Sequence, residues 1–185
     1  MNENNDIIVV LDLDNTLIHS VTKDVAECIH KPADLIFSDI YVYFRPYLAA
    51  FLNELKSKFN RIGIWSFGTD DYVNKIASVL GIEFEFIYSI NNPPPGKQPN
   101  DFSCKELIYI EQNHMCNAAF MIDDRPINGS KNIEKFINIR PFYIHMYFSD
   151  KELYEAYNEL IGAIKKYKMI QSAFIELYFS DDYFR

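Results

Sequence analysis

The feature that most constrains this 185-residue chain is a short apolar run near its start, Ile7-Ile8-Val9-Val10-Leu11, broken at once by Asp12-Leu13-Asp14-Asn15-Thr16. A β-branched run without polar alternation belongs to a strand covered on both faces, which implies a parallel sheet with helices on either side. The remaining periodicity agrees. Ile62–Trp65, Phe84–Ile90, Ala118–Ile122 and Ile137–Ile139 read as further strands. Pro46 opens a helix with Leu48, Phe51, Leu52, Leu55 and Phe59 at helical spacing. Other helices are expected near Asp70–Leu80, closed by Gly81, near Ser103–Asn113, and over Asp150–Lys168. The stretch Val21–Asp39 fits no pattern, and the Pro-rich piece Asn91–Asn100 is expected to be extended surface chain. Strands alternating with helices give an α/β fold, a central parallel sheet flanked by helices, read as one catalytic unit over 1–185.

Composition excludes several classes. Hydrophobic residues make up 49% and charged residues 24%, enough for a substantial core. No apolar run approaches the ~20 residues of a membrane helix, and Met1–Asp6 lacks the basic start of a signal peptide. A soluble, intracellular protein is expected, with nucleus and cytoplasm not distinguished. The net charge of −8 argues against direct nucleic-acid binding. Cys28, Cys104 and Cys116 match no zinc spacing and are expected as reduced, mostly packed thiols.

Ligands of such sheets bind beyond the carboxyl ends of the strands. Three of the expected strands end in chemically useful residues: Asp12 and Asp14 after the first, Ser66 after the second, and Asp123-Asp124 after Ala118–Ile122. Two carboxylates two residues apart repel, so one must hold its proton more tightly. Split pKa values of this kind serve two-step acid/base and nucleophilic work. An Asp-rich turn or a helix cap is the plainer alternative for the pair, and a cap before Asp70 the plainer one for Ser66.

Val10-Leu11-Asp12-Leu13-Asp14-Asn15-Thr16-Leu17-Ile18-His19-Ser20 resembles the nucleophile motif of the haloacid dehalogenase superfamily. More narrowly it resembles the RNA polymerase II C-terminal-domain (CTD) phosphatase branch, the small CTD phosphatase or NLI-interacting-factor-like proteins. Phe44-Arg45-Pro46 is similar to that branch's Arg-Pro segment, and Ile64-Trp65-Ser66 to its second motif. Lys105-Glu106-Leu107 corresponds to its Lys-Asp-Leu and Ile122-Asp123-Asp124-Arg125-Pro126 to its acidic motif. The order holds from about residue 7 to 126. The resemblance implies a haloacid dehalogenase-like Rossmannoid fold with a small insertion, about 84–102, between the second and third motifs.

It also implies a magnesium-dependent phosphoserine/phosphothreonine protein phosphatase with an aspartyl-phosphate intermediate. Asp12 would be the nucleophile and Asp14 the general acid and base. Ser66 and Lys105 would bind the phosphoryl group, and Thr16 would hold the Asp12 loop. Mg2+ would be held by Asp12, the backbone carbonyl of Asp14 and Asp124, with Asp123 in support and paired to the lysine. An all-oxygen site suits this ion. Lys97 is the competitor for the role of Lys105. The implied partner is a phosphoprotein, the RNA polymerase II C-terminal domain among the candidates. Phe67-Gly68 departs from the Ala-Ser that usually follows the second-motif hydroxyl.

Rival readings are a phosphatase of small molecules or nucleic-acid ends, a non-catalytic interaction module, and a phosphate-accepting response regulator. The module reading predicts lost carboxylates. The regulator reading puts its acid pair and phosphorylated Asp on different strands. His19 is expected to be structural, and His114 and His145 have no partner pattern. Aromatics at Phe84–Tyr88 and Phe102 are candidates for a peptide groove. The aromatic tail Ser172–Arg185 is expected to pack back on the body.

Overall fold

The computed structural model describes residues 6–179. In chain order its strands are Ile7–Leu11 (β1), Ile18–Thr22 (β2), Leu35–Phe37 (β3), Ile40–Phe44 (β4), Ile62–Trp65 (β5), Ile87–Tyr88 (β6), Ala118–Asp123 (β7) and Phe136–Asn138 (β8). The helices are Lys23–Ala26 (α1), Leu48–Lys58 (α2), Asp70–Ala77 (α3), Leu107–Asn113 (α4) and Glu152–Phe179 (α5), with short 3-10 turns at Pro126–Gly129 and Ile144–Met146.

The central sheet runs β6-β5-β1-β7-β8 and its pairings are all parallel. β1 lies in the middle, and its side chains alternate between two cores. Ile7, Val9 and Leu11 pack with α2, α3 and α5, while Ile8 and Val10 pack with Trp65, Phe86 and α4. Both faces are dry, so the run carries no polar residue. α2 buries Leu48, Phe51, Leu52 and Leu55 at helical spacing, each worth roughly 1.5–3 kcal/mol of transfer free energy. Lys56 and Lys58 sit in its last turn, where the helix dipole favours cations.

A second, antiparallel sheet, β2-β4-β3, is inserted between β1 and α2. It accounts for much of the stretch that matched no sequence pattern. The expected strand Phe84–Ile90 narrows to β6, because Phe86 turns inward across β5. A Cβ on Gly63 would lie 2.2 Å from the Phe86 ring, so that ring packs flush only because residue 63 is glycine. The segment expected as an insertion, 84–102, therefore supplies an edge strand of the main sheet before becoming loop. α3 ends at Ala77 with Ser78 as its C-cap, short of the expected Leu80; Gly81, expected to close it, turns the chain three residues after that cap with φ +76.

Further helix boundaries differ from expectation: α2 begins at Leu48 rather than Pro46, because Tyr47 turns the chain with φ 66. α4 begins at Leu107 rather than Ser103, because Asp101 takes the Ser103 N–H and Glu106 is extended. α5 begins at Glu152, since Asp150 is used by Arg45, and it runs on to Phe179. The aromatic tail expected to pack back is thus helical as far as Phe179, and 180–185 lie outside the described residues. The cysteines are free thiols, with Cys104 buried and Cys28 exposed. Among the described residues, no helix is long and apolar enough to cross a membrane.

Candidate active site

Parallel pairing aligns the strand ends. Leu11 is in register with Ile64 of β5 and Ile122 of β7. The residues that follow, Asp12, Ser66, Asp123 and Asp124, therefore emerge at one edge of the sheet. The Asp12 N–H donates to the Ile122 carbonyl at 3.1 Å, extending the ladder one residue into the loop. Asn15 then turns the chain with φ 61, a conformation that asparagine tolerates better than most residues. The Leu13 carbonyl accepts the N–H groups of Thr16, Leu17 and Ile18 at 2.8–3.2 Å, which makes the turn compact.

Lys105 is completely buried, and its Nζ donates to Asp12 Oδ1 at 2.5 Å and to Asp123 Oδ2 at 2.7 Å. It reaches in from the loop before α4, so the expectation that it sits on a helix is corrected. Two asparagines hold that loop. Asn128 accepts the Lys105 N–H at 2.9 Å and donates to Asp123 Oδ2 at 2.9 Å, while Asn132 donates to the Lys105 carbonyl at 2.6 Å and accepts the Leu107 N–H at 3.0 Å. Lys97 is elsewhere, paired with Asp101 at 2.6 Å within the Pro-rich loop.

Carboxylate oxygens of Asp12, Asp123 and Asp124 lie within 4.8 Å of one another. Their hydrogen bonding differs. Asp123 is fully engaged, with Oδ2 bound by Lys105 and Asn128 and Oδ1 by the Arg125 N–H at 2.8 Å. The side-chain donors of the described residues reach one oxygen of each of the other two, Lys105 at Oδ1 of Asp12 and Thr16 at Oδ1 of Asp124. Burial pushes Asp12 up to about 8 despite the Lys105 ammonium, with repulsion from Asp123 and Asp124 adding to the rise. Burial and Asp123 likewise push Asp124 up to about 6. Three carboxylates facing one ammonium leave negative charge uncompensated.

Asp14 is half-buried, and burial raises its carboxyl above the ordinary carboxylate range against the opposing pull of a hydrogen bond from Tyr72. Thr16 closes on the Asp12 loop through its N–H to Leu13, while its side chain goes to the end of β7. Its Oγ1 accepts the Asp124 N–H at 3.1 Å and donates to Asp124 Oδ1 at 3.3 Å, linking the ends of β1 and β7. Ser66 is buried and its Oγ accepts the Gly68 N–H at 3.0 Å. That oxygen caps its own turn rather than α3, whose N-cap is Thr69.

The Phe67 ring faces Lys105 Nζ at 5.1 Å and Arg125 Cζ at 4.9 Å from its centroid, and Phe102 packs against it at 5.5 Å. Of the aromatics expected to line a groove, Phe86 is core, and the exposed Phe102 lies beside the site. His19 sits on β2 with its ring 5.4 Å from that of Tyr143 and its Nδ1 3.3 Å from Asn15 Nδ2.

The sequence matches the NLI interacting factor-like phosphatase family over residues 7–171. No curated protein matches it. Among solved structures, the chain is similar to Fcp1, an essential RNA polymerase II CTD phosphatase, with TM-score 0.56 and 20% identity over 94% of this chain and 54% of that one. It is also similar to fission yeast RNA polymerase II CTD phosphatase Fcp1 bound to beryllium fluoride, with TM-score 0.55 and 21% identity over 85% of this chain and 50% of that one. The chain thus spans about half the length of these structures, and at such identities the likeness speaks for the fold alone.

Proposed function

Because this chain belongs to the NLI interacting factor-like phosphatase family, with the fold of a haloacid dehalogenase-type phosphatase, we propose that it is a magnesium-dependent phosphoserine/phosphothreonine protein phosphatase. The observation that carries the reading is the state of Asp12. A buried lysine grips one carboxylate oxygen at 2.5 Å and leaves the other, at the sheet's carboxyl edge, without a donor among the described residues.

In this mechanism the unengaged oxygen of Asp12 attacks phosphorus in line as the bond from phosphorus to the serine or threonine oxygen breaks. The electron pair goes to that oxygen, which takes a proton from Asp14. Asp14 then removes a proton from the water that hydrolyses the aspartyl-phosphate, releasing phosphate and restoring Asp12. Lys105 neutralises charge on the phosphoryl oxygens, and the Ser66 hydroxyl donates to one of them. Arg45, Thr16, Asn128 and Asn132 keep these groups in register without touching substrate.

The residues fit a hard divalent cation. Asp12 and Asp124 each have one carboxylate oxygen that no side chain of the described residues binds, Asp123 is saturated by donors, and the site carries surplus negative charge. Asp12, Asp124 and the Asp14 carbonyl would hold Mg2+, with Asp123 in support; the ion supplies charge neutralisation for the phosphoryl group.

The likeness in fold to Fcp1, an RNA polymerase II CTD phosphatase, supports a phosphoserine peptide of the polymerase C-terminal domain as the proposed substrate. The test is phosphate release from a phosphoserine heptad peptide and from p-nitrophenyl phosphate, each with Mg2+, with chelator, and with Asp12→Asn. Turnover that needs Mg2+ and Asp12 and strongly prefers the peptide is expected. Turnover of the small ester alone moves the substrate to small molecules. Turnover of neither overturns the reading.

A further inference from the structure

We propose that Tyr72 is a positioning residue for Asp14, oriented by Ser20, and that it fixes which oxygen of Asp14 carries the proton to the leaving group. This rests on the proposed phosphatase chemistry.

Tyr72 lies in the first turn of α3, and its hydroxyl donates to Asp14 Oδ1. The Tyr72 hydroxyl oxygen also lies 2.6 Å from Ser20 Oγ, on β2 of the inserted sheet. A phenol has one proton. Given to Asp14, it leaves the Tyr72 oxygen able only to accept from Ser20, and this is the arrangement proposed. Oδ1 of Asp14 is then engaged as an acceptor, and Oδ2 is the oxygen that holds the acid proton. A carboxyl group free to rotate would offer its proton from either oxygen, and much of the time from the wrong one.

The hydroxyl is not needed to hold the fold. α3 is anchored by the buried Val73, Ile76 and Ala77, and the Tyr72 ring packs on Phe37, with centroids 5.9 Å apart. Tyr72→Phe keeps the ring and loses only the two hydrogen bonds. Ser20→Ala loses one.

The step affected is the first. The bond from Asp12 to phosphorus forms, the bond from phosphorus to the ester oxygen breaks, and Asp14 Oδ2 passes its proton to that oxygen. A serine alkoxide needs this proton, whereas p-nitrophenolate leaves readily without it. In a covalent mechanism kcat/KM reports only the steps through formation of the aspartyl-phosphate, so the later work of Asp14 on water does not enter.

The experiment measures kcat/KM with Mg2+ for the phosphoserine peptide and for p-nitrophenyl phosphate, on the wild-type chain, Tyr72→Phe and Ser20→Ala, with thermal melts of each. General acid catalysis contributes about 10²–10⁴, so Tyr72→Phe is expected to lose at least about tenfold more on the peptide than on the aryl ester. Ser20→Ala is expected to shift the ratio in the same direction by less. Equal losses on both esters, or a larger loss on the aryl ester, overturn the proposal while leaving the phosphatase reading intact. A wild-type chain inactive on both overturns the two together. If Tyr72→Phe does not fold, Ser20→Ala decides: a selective loss on the peptide supports the proposal, and an unchanged ratio overturns it.

Discussion

Arg45 and Asp150 form a bidentate ion pair in the interior: Nε donates to Oδ1 and Nη2 to Oδ2, both at 2.9 Å, with neither side chain exposed. The guanidinium has further duties. Nη1 donates to the Thr16 carbonyl at 2.9 Å and Nη2 to the Arg140 carbonyl at 2.7 Å. One side chain thus ties the turn after Asp12 to the chain entering α5, and it is the Arg of the Arg-Pro segment noted in the sequence.

Removing one member of this pair strands the other. Asp150→Leu is expected to cost about 3–5 kcal/mol, read as a lower denaturant midpoint at unchanged slope. The double variant Arg45→Met/Asp150→Leu should recover part of that, since apolar replacement of buried pairs is often close to neutral. Recovery stays incomplete because the Thr16 and Arg140 carbonyls lose their donor. Full recovery would show that those carbonyls do not depend on Arg45.

Lys105 and Lys97 are told apart by their partners. Lys105→Met leaves the buried Asp12 and Asp123 without their cation, at a cost of about 3–5 kcal/mol. It should also lower phosphatase turnover by about 10²–10³, the loss typical of removing a group that stabilises developing charge. Lys97→Met breaks only the contact with Asp101 and should leave turnover at the wild-type level. Comparing kcat for the two variants decides between them.

What the sequence made legible was local. Ile7–Leu11 could be read as buried because five consecutive apolar residues suit only a strand with two dry faces. The strand ends bearing Asp12, Ser66 and Asp123-Asp124 then had to share an edge, because parallel strands point the same way. Lys105 is a different case. Nothing in its neighbours distinguishes it from a solvated lysine, and only the family motif marked it. Tyr72, Asn128 and Asn132 were passed over because their importance comes from contacts with distant chain segments. The inserted sheet escaped notice because its strands are half-buried and bury mixed aromatic and polar side chains without clean alternation.

Away from the site, Arg61 donates to both oxygens of Glu85, at 2.8 and 2.6 Å, and to the His114 carbonyl at 2.7 Å. The hydrogen bonds from Arg61 hold the Glu85 carboxyl below its ordinary value of 4.5. A depressed carboxylate adds stability above its unfolded pKa and loses it as pH falls through the folded one. Glu85→Gln should therefore be less stable than wild type at pH 7, by up to about 1 kcal/mol for a partly exposed pair. The gap should close as pH drops below 4.5, which denaturation across pH will show. A gap that persists in acid would assign the loss to shape rather than charge.

The acidic cluster has the opposite sign. Its carboxyl groups are raised, Asp12 to about 8 and Asp124 to about 6, so the folded chain binds protons that the unfolded chain has released. Their contribution to stability is complete below 3.8 and is lost as pH rises through the folded values. A bound divalent cation competes with those protons and removes the penalty. Without Mg2+, thermal stability is therefore expected to fall between about pH 4 and 8 through these groups. At a fixed Mg2+ concentration equal to a hundred times the dissociation constant at pH 8, binding adds about 2.7 kcal/mol there and less at lower pH, where protons raise the dissociation constant, so the thermal shift should grow towards pH 8. Asp124→Asn should abolish most of that shift and flatten its pH dependence, while Lys97→Met should preserve both. A shift equally large at pH 5 and pH 8, or one that survives Asp124→Asn, would place the ion outside this cluster.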